Sequence, residues 1–382
     1  MLQEVVAADA ADVEAYYAQK PAPAPREEAE ILVIQADGKG VPIVRETPTE
    51  PKTRLGKGEK RGRKKEAVVT TIYTIAAAPR TPEEVVDSLF YSKETDIQAE
   101  IPAHKRSPPQ NKHIWATLAG KDAALDRLAQ QVASRATPMA DHIAHKVALC
   151  DGCEALQTRI TERFPDFSLI LDFIHANEYL WEVANSLLGE TNPQRTDWVA
   201  QRTLQMLSGN TQQLVDEFRQ LAQDSEQTTA TQRQQLNKAA NYFQRNLPYM
   251  DYATYLANGW PIASGVIEGA CRHFVKDRLE LSGMRWTLDG AENLLRLRAV
   301  SENGDWEAYH DFRKQQRHFR LYGTTLTPVA HPETLAIEPT FLTDLADNNP
   351  ATTADMSRYE TFPEHQIRLG FSQNYHALPL AI

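Results

Sequence analysis

The chain has 382 residues and a formal net charge of −10, from 41 Lys and Arg against 51 Asp and Glu. At 42% hydrophobic and 24% charged residues it can build a packed core, which excludes a wholly disordered or collagen-like chain. The acidic excess argues against a surface that coats nucleic acid indiscriminately, although the stretch from Lys52 to Lys65 carries eight basic residues and one acid, Glu59, while 331–382 carry seven acids and two arginines.

Residues 1–30 lack the basic start and apolar stretch of a secretory signal, since Glu4, Asp9, Asp12 and Glu14 stand where basic residues belong. No apolar run approaches the roughly 18–20 residues of a membrane span. Three cysteines, Cys150, Cys153 and Cys271, are too few and odd in number for a disulfide framework. The expectation is a cytoplasmic protein with no membrane partner.

In chain order, residues 1–29 are Ala/Glu-rich, contain Pro-Ala-Pro-Ala-Pro at 21–25, and read as a linker. Residues 31–36 form an apolar run closed by Asp37-Gly38-Lys39-Gly40, and 41–45 form another, which predicts a β-hairpin. The basic run follows as an exposed loop, and the β-branched stretch 67–75 predicts a strand. Thr81-Pro82-Glu83-Glu84 predicts a helix start with a capping box. Residues 113–135 are expected to be helical. The run 147–150 closes on Asp151-Gly152, a helix follows to Pro165, and 168–171 close on Asp172 before an amphipathic helix. Residues 191–258 are Gln-rich with helical periodicity, and 259–322 form a further helical stretch with basic and aromatic residues. Beyond 323 the pattern decays into an acidic tail expected to have little order.

Three short strands thus finish on aspartate: Asp37, Asp151 and Asp172. Strand ends converge in a sheet flanked by helices, and ligand sites form there. Stacked carboxylates repel unless a cation separates them. Oxygen ligands suit Mg²⁺ or Mn²⁺. The plainer explanation is that Asp favours turns. Ser264 is a plausible N-cap for a helix over 265–281. On it Ile267, Ala270, Cys271 and Phe274 mark an apolar face, and Glu268, Arg272 and Lys276 an adjoining polar line.

Several segments resemble bacterial insertion-sequence transposases of the ISKra family: Asp-Gly-Lys-Gly (37–40), Val-Ala-Leu-Cys-Asp-Gly (147–152), Leu-Asp-Phe-Ile-His-Ala-Asn-Glu-Tyr-Leu-Trp (171–181), Ile-Glu-Gly-Ala-Cys-Arg-His-Phe-Val-Lys-Asp-Arg (267–278), Ser-Gly-Met-Arg-Trp (282–286) and Gly-Ala-Glu-Asn-Leu-Leu-Arg-Leu-Arg-Ala (290–299). The resemblance covers about 30–322. It implies a DDE enzyme whose ribonuclease H-like core, a mixed sheet with flanking helices, is interrupted by an all-α insertion at 191–258. Asp37, Asp151 and Glu268 are then the catalytic and metal-binding acids for two Mg²⁺ or Mn²⁺ ions. Asp172 and His175 match the (Cys/Asp)-x-x-His element of related transposases. An alternative assignment makes Asp172 the second metal acid.

The implied reaction is cleavage and joining of DNA ends by in-line displacement at phosphorus, by a homo-oligomer associated with the nucleoid. Candidate DNA contacts are Lys39, Arg61, Arg63, Lys64, Arg272, Lys276, Arg285 and Trp286. Family members carry an N-terminal recognition region, and here only some thirty residues precede the first strand. An inactive remnant that binds DNA or the full-length transposase, and a stand-alone nuclease of the same fold, therefore remain as alternatives. A zinc site from Cys150, Cys153, Cys271 and His273 is the weakest reading, because Cys150 lies within an apolar strand.

Overall fold

A computed structural model describes residues 2–24, 27–44, 64–91, 107–136, 142–281, 283 and 285–323. Most of the basic loop, including Arg61 and Arg63, and the acidic tail lie outside the described residues. The chain divides into two compact units, the first spanning residues 1–312 and the second beginning at Arg313.

Two helices, α1 (Leu2–Ala10) and α2 (Val13–Gln19), occupy the region read as a linker. Val6, Ala10, Val13 and Tyr16 are buried in a core cluster, and the Lys20 Nζ bonds both Asp305 carboxylate oxygens at 2.6 and 2.7 Å. The linker reading is corrected: Ala/Glu composition, taken there for a spacer, is also that of a good helix once a tertiary surface buries its apolar face.

β1 (Ile31–Val41) is one eleven-residue strand, so the predicted hairpin within 31–45 does not form. Its antiparallel partner is β2 (Lys65–Ile75), paired from Ile31↔Ile75 to Val41↔Lys65. Asp37 pairs with Val69 inside this ladder, whose backbone bonds hold Gly38 and Gly40 extended despite their turn preference. After α3 (Pro82–Phe90), which has the expected Thr81–Glu84 capping box, β3 (Gln110–Thr117) pairs antiparallel with β2. The helix expected from 113 instead starts at α4 (Lys121–Ala136). Residues 114–117 are taken into the sheet by the free edge of β2, which overrides their helical period.

β4 (His145–Cys150) lies parallel to β1, α5 (Glu154–Arg163) crosses over, and β5 (Ser168–Leu171) lies parallel to β4. The sheet is therefore five-stranded and mixed, in the order β3-β2-β1-β4-β5. α6 (Phe173–Leu188), α7 (Arg195–Leu207), α8 (Thr211–Gln223), α9 (Ala230–Asn246) and α10 (Tyr252–Ala257) follow. α11 (Gly265–Gly269) runs into a π-helical segment (Ala270–Lys276) and then α12 (Asp277–Leu279). α13 (Leu288–Glu302) and α14 (Trp306–Tyr322) complete the described chain.

Strand alternation divides the core. Leu32, Ile34 and Ala36 face α4 and α5. Ile31 and Val33 face the opposite way, into a cluster with Leu149, Phe173, Phe218 and Phe243. The helices over 195–257 thus share a core with the sheet and are not a separately packed body. Among the described residues no helix is long and apolar enough to cross a membrane.

Candidate active site

The parallel ladders align Ala36 with Cys150, and Cys150 with Leu171. The next residue in each chain is Asp37, Asp151 and Asp172, so register alone brings the three aspartates to one edge. Only Asp151 and Asp172 follow strand ends. Asp37 lies where β1 outruns β4 and continues against β2, on the same face as Ile31, Val33 and Gln35 by alternation.

Each carboxylate is held differently. Asp37 Oδ1 accepts from the Gly38 amide at 2.6 Å, and Oδ2 accepts from the Cys271 thiol at 3.2 Å. Asp151 Oδ1 accepts from the Cys153 amide at 3.0 Å, while its Oδ2 accepts no hydrogen bond among the described residues. Asp172 is fully buried. Its Oδ1 accepts from the Ile174 amide at 3.0 Å, capping α6, and from the Ser264 amide at 3.3 Å, while its Oδ2 accepts from the Ser264 hydroxyl. Ser264 stands at the predicted N-cap position of α11, but its hydroxyl is drawn to this buried carboxylate and makes no cap bond.

Glu268 projects from α11 one turn beyond Ser264, whose Oγ lies 3.4 Å from Oε1. No Glu268–Arg272 ion pair forms among the described residues. The π winding directly after Glu268 shifts the i,i+4 alignment such a pair requires, and π segments are frequent at functional sites. Arg298 of α13 stabilises this winding by donating to the carbonyls of Phe274 at 2.8 Å and His273 at 2.7 Å. His175 Nδ1 lies 3.3 Å from Glu178 Oε2, and its Nε2 lies 3.8 Å from Asp172 Oδ2. One ligand atom each from Asp172, His175 and Glu268 lie within 4.8 Å of one another.

Burial pushes the carboxyl pKa values of Asp172 and Glu268 above the ordinary range, and the neighbouring Asp172 charge adds to the effect on Glu268. His175 is pushed up to about 9, first by its hydrogen bond to Glu178 and further by the charges of Asp172 and Glu268. Burial, reinforced by Asp37, raises the Cys271 thiol. Burial, reinforced by Asp151 and Asp37, raises Cys150. Asp172 and Glu268 on this edge therefore favour a proton or a nearby cation. Asp37, Asp151 and Glu268 offer oxygen donors, the chemistry that hard divalent ions select.

Among the described residues the proposed zinc ligands do not gather. Cys150 packs in the core beneath α4 and α5, and His273 is exposed beside Asp277 at 3.1 Å. Of the DNA-contact candidates, Lys39, Arg272 and Lys276 are half-buried, Arg285 is exposed, and Lys64 is ion-paired with Glu280. Trp286 is corrected: at 2% exposure it is a core residue, and the Val44 amide bonds its carbonyl at 2.9 Å. An indole packed there has no face for a base. Reading the sequence missed the positions of Ser264, Tyr242 and Arg245 at this edge. The one local signal was Gly152, directly after Asp151, which hinted at a close approach.

No protein-family model matches the chain, and no curated protein matches it.

Proposed function

We propose that the chain is a DDE-type DNA transposase with a ribonuclease H-like core, acting by metal-dependent phosphoryl transfer. The observation that carries this reading is the convergence of Asp37 and Asp151 in adjacent parallel register, with Glu268 delivered to the same edge by the helix whose Cys271 touches Asp37. The strand order β3-β2-β1-β4-β5, antiparallel on one side and parallel on the other, supports the ribonuclease H-like assignment. The helices of 195–257 lie in sequence between the β5 aspartate and Glu268, where the resemblance expects an all-α insertion over 191–258, although they share their core with the sheet.

In this reading Asp37, Asp151 and Glu268 would hold two Mg²⁺ or Mn²⁺ ions. When bound, such ions stabilise charge on the attacking and leaving oxygens of an in-line displacement. Asp37 stands beside Asp151 on the neighbouring strand and accepts from Cys271 of the segment that continues the Glu268 helix. The β1–β2 ladder holds its backbone, so its carboxylate is presented with little reorganisation. Asp172 is fully enclosed and its oxygens are engaged by three donors. Its role is to hold the strand end and the 261–264 segment together, aided by the Phe173 amide bonding the Ile262 carbonyl at 2.9 Å. No Ser or Tyr nucleophile is required.

A second reading has its own observation: the Asp172–His175–Glu268 grouping makes Asp172 the second metal acid. The test is a strand-cleavage and joining assay with Mg²⁺ or Mn²⁺, on DNA carrying the sequences that flank the coding frame. Wild type should cut and join, Asp37→Asn and Glu268→Gln should do neither, and Asp151→Asn should be as inactive as Asp37→Asn. Activity in Asp151→Asn with none in Asp172→Asn selects the second reading. Cutting without joining indicates a nuclease. DNA binding without either reaction indicates the inhibitory remnant. Equal activity in wild type and Asp37→Asn removes the carboxylate assignment altogether.

A further inference from the structure

The last two turns of α9 lie against the strip of acids. The Tyr242 ring covers Gly152, the residue after Asp151, so closely that a Cβ there would stand 2.3 Å from Cε2 and 2.5 Å from the hydroxyl oxygen. Tyr242 stacks on Tyr179 of α6 with centroids 3.8 Å apart and planes at 13°. One turn on, Arg245 Nη2 donates to the Gly152 carbonyl at 2.6 Å, and its guanidinium carbon stands 5.7 Å from the Tyr242 centroid. The fully buried Asn246 ties the helix end to β4: Gln157 Nε2 bonds Asn246 Oδ1 at 2.8 Å and the Asp151 carbonyl at 3.2 Å, and Asn246 Nδ2 bonds the Tyr242 carbonyl at 2.9 Å.

The two cations beside this aromatic pair differ. Lys238, 5.0 Å from the Tyr179 centroid, is neutralised by Glu182 at 2.5 Å. Arg245 is exposed, and among the described residues it forms no ion pair with a carboxylate. A guanidinium has five N–H donors in a rigid fork matched to phosphate oxygens. The Gly152 carbonyl uses one of them. The anchoring bond and the Tyr242 wall restrict the side chain, so little further ordering is needed to bind an anion. A fixed cation with spare donors therefore stands at the rim of an edge otherwise lined with acids.

We propose that Arg245 is a nucleic-acid contact, gripping the backbone phosphate next to the phosphodiester presented to Asp37 and Asp151, and that Tyr242 positions it. The proposal rests on the reading that a nucleic-acid strand occupies this edge. It places a substrate contact on the helical segment between the second and third acids, which gives that segment a role in holding substrate as well as in packing.

The test measures binding, not turnover. The full-length chain is titrated against a fluorescein-labelled oligonucleotide, single-stranded and duplex, in Ca²⁺ buffer at several salt concentrations. Removing one phosphate contact lowers the slope of log K against log salt by about 0.9 for duplex and about 0.7 for single strands. Between 50 and 200 mM salt, the affinity loss of Arg245→Gln should thus be smaller than that of wild type by about 3.5-fold (duplex) or about 2.6-fold (single strand). Arg245→Lys should restore the slope, since the charge remains. Tyr242→Leu should weaken binding while leaving the slope nearer that of wild type.

An Arg245→Gln slope equal to that of wild type overturns the proposal, as does a wild-type chain that binds neither oligonucleotide. A lowered melting temperature with unchanged binding also overturns it, because Arg245 would then only hold the Gly152 carbonyl. The result is separable from the catalytic reading. If Arg245→Gln changes the slope while Asp37→Asn cuts DNA like wild type, the phosphate contact stands and the carboxylate assignment falls.

Discussion

Ser264→Ala removes one oxygen from the seam between the sheet and the Glu268 helix. Asp172 is 0% exposed, so no bulk water can replace the lost donor. Its Oδ2 would be left with no hydrogen-bond donor among the described residues, since His175 Nε2 stands 3.8 Å away, beyond hydrogen-bonding distance. A hydrogen bond to a charged group contributes about 1.5–3 kcal/mol net, and an unsatisfied buried acceptor costs a similar amount. Asp172 already has a raised pKa through burial, so it can partly adapt by keeping its proton, which sets the expectation near the middle, about 2 kcal/mol. At about 2–4 °C per kcal/mol for a domain of this order, the melting temperature should fall by about 4–8 °C. Thermal and urea unfolding of Ser264→Ala, Asp172→Asn and the double variant measure the effect and the coupling, which should exceed about 1 kcal/mol for groups in contact. Ser264→Thr keeps the hydroxyl and should recover most of the loss. A Ser264→Ala chain that melts with wild type, or additive single and double variants, would refute the latch.

Two further outcomes follow from the same edge. Gly152→Ala drives a Cβ into the Tyr242 ring; it should cost about 1–3 kcal/mol as overpacking and disturb the Tyr179 stack, and the cost should shrink in a Tyr242→Leu background. Equal cost in both backgrounds would show that Tyr242 is not the obstacle. His175 has a folded-state pKa raised from 6.5 to about 9, so its contribution to stability is fully present below about 6.5 and is lost as pH rises through about 9. The side chain is 34% exposed, and solvent screening reduces the nominal effect to about 1 kcal/mol. Asp172 and Glu268, also raised, lose stability with rising pH in the same sense, so the comparison is wild type against His175→Gln in urea at pH 6 and pH 9.5. Parallel pH dependence in the two chains would remove the imidazolium from the account.

Local chemistry made several elements legible. Thr81, Pro82 and Glu84 announced the start of α3, because a capping box needs only contiguous residues. The β-branched run 67–75 marked β2, and the short apolar runs before Asp151 and Asp172 marked β4 and β5. The three aspartates are visible as a pattern, although the local sequence around Asp37 reads as a turn and the residue belongs inside a strand. The fate of 37–41 depends on β2, some thirty residues away, which supplies backbone partners that override the turn preference of Gly38 and Gly40. The same β2 edge claimed 110–117 for the sheet.

The sequence by itself determined which residues could carry charge and chemistry, and where helices and strands could begin, since those properties are local. Tertiary structure alone decided their relations. Parallel register set Asp37, Asp151 and Asp172 side by side, because backbone hydrogen bonds align strands that are distant in the chain. Burial turned Trp286 into core and Asp172 into a latch, because donors from the 262–264 segment reach it only in the folded state. The opening helices, composed like a spacer, became part of the core when α13 and the Lys20–Asp305 pair received them. The acidic total of the chain concealed all of this. On the proposed reading, what bears on function is the local field at one sheet edge, where acids are concentrated and Arg245 bonds the Gly152 carbonyl beside them.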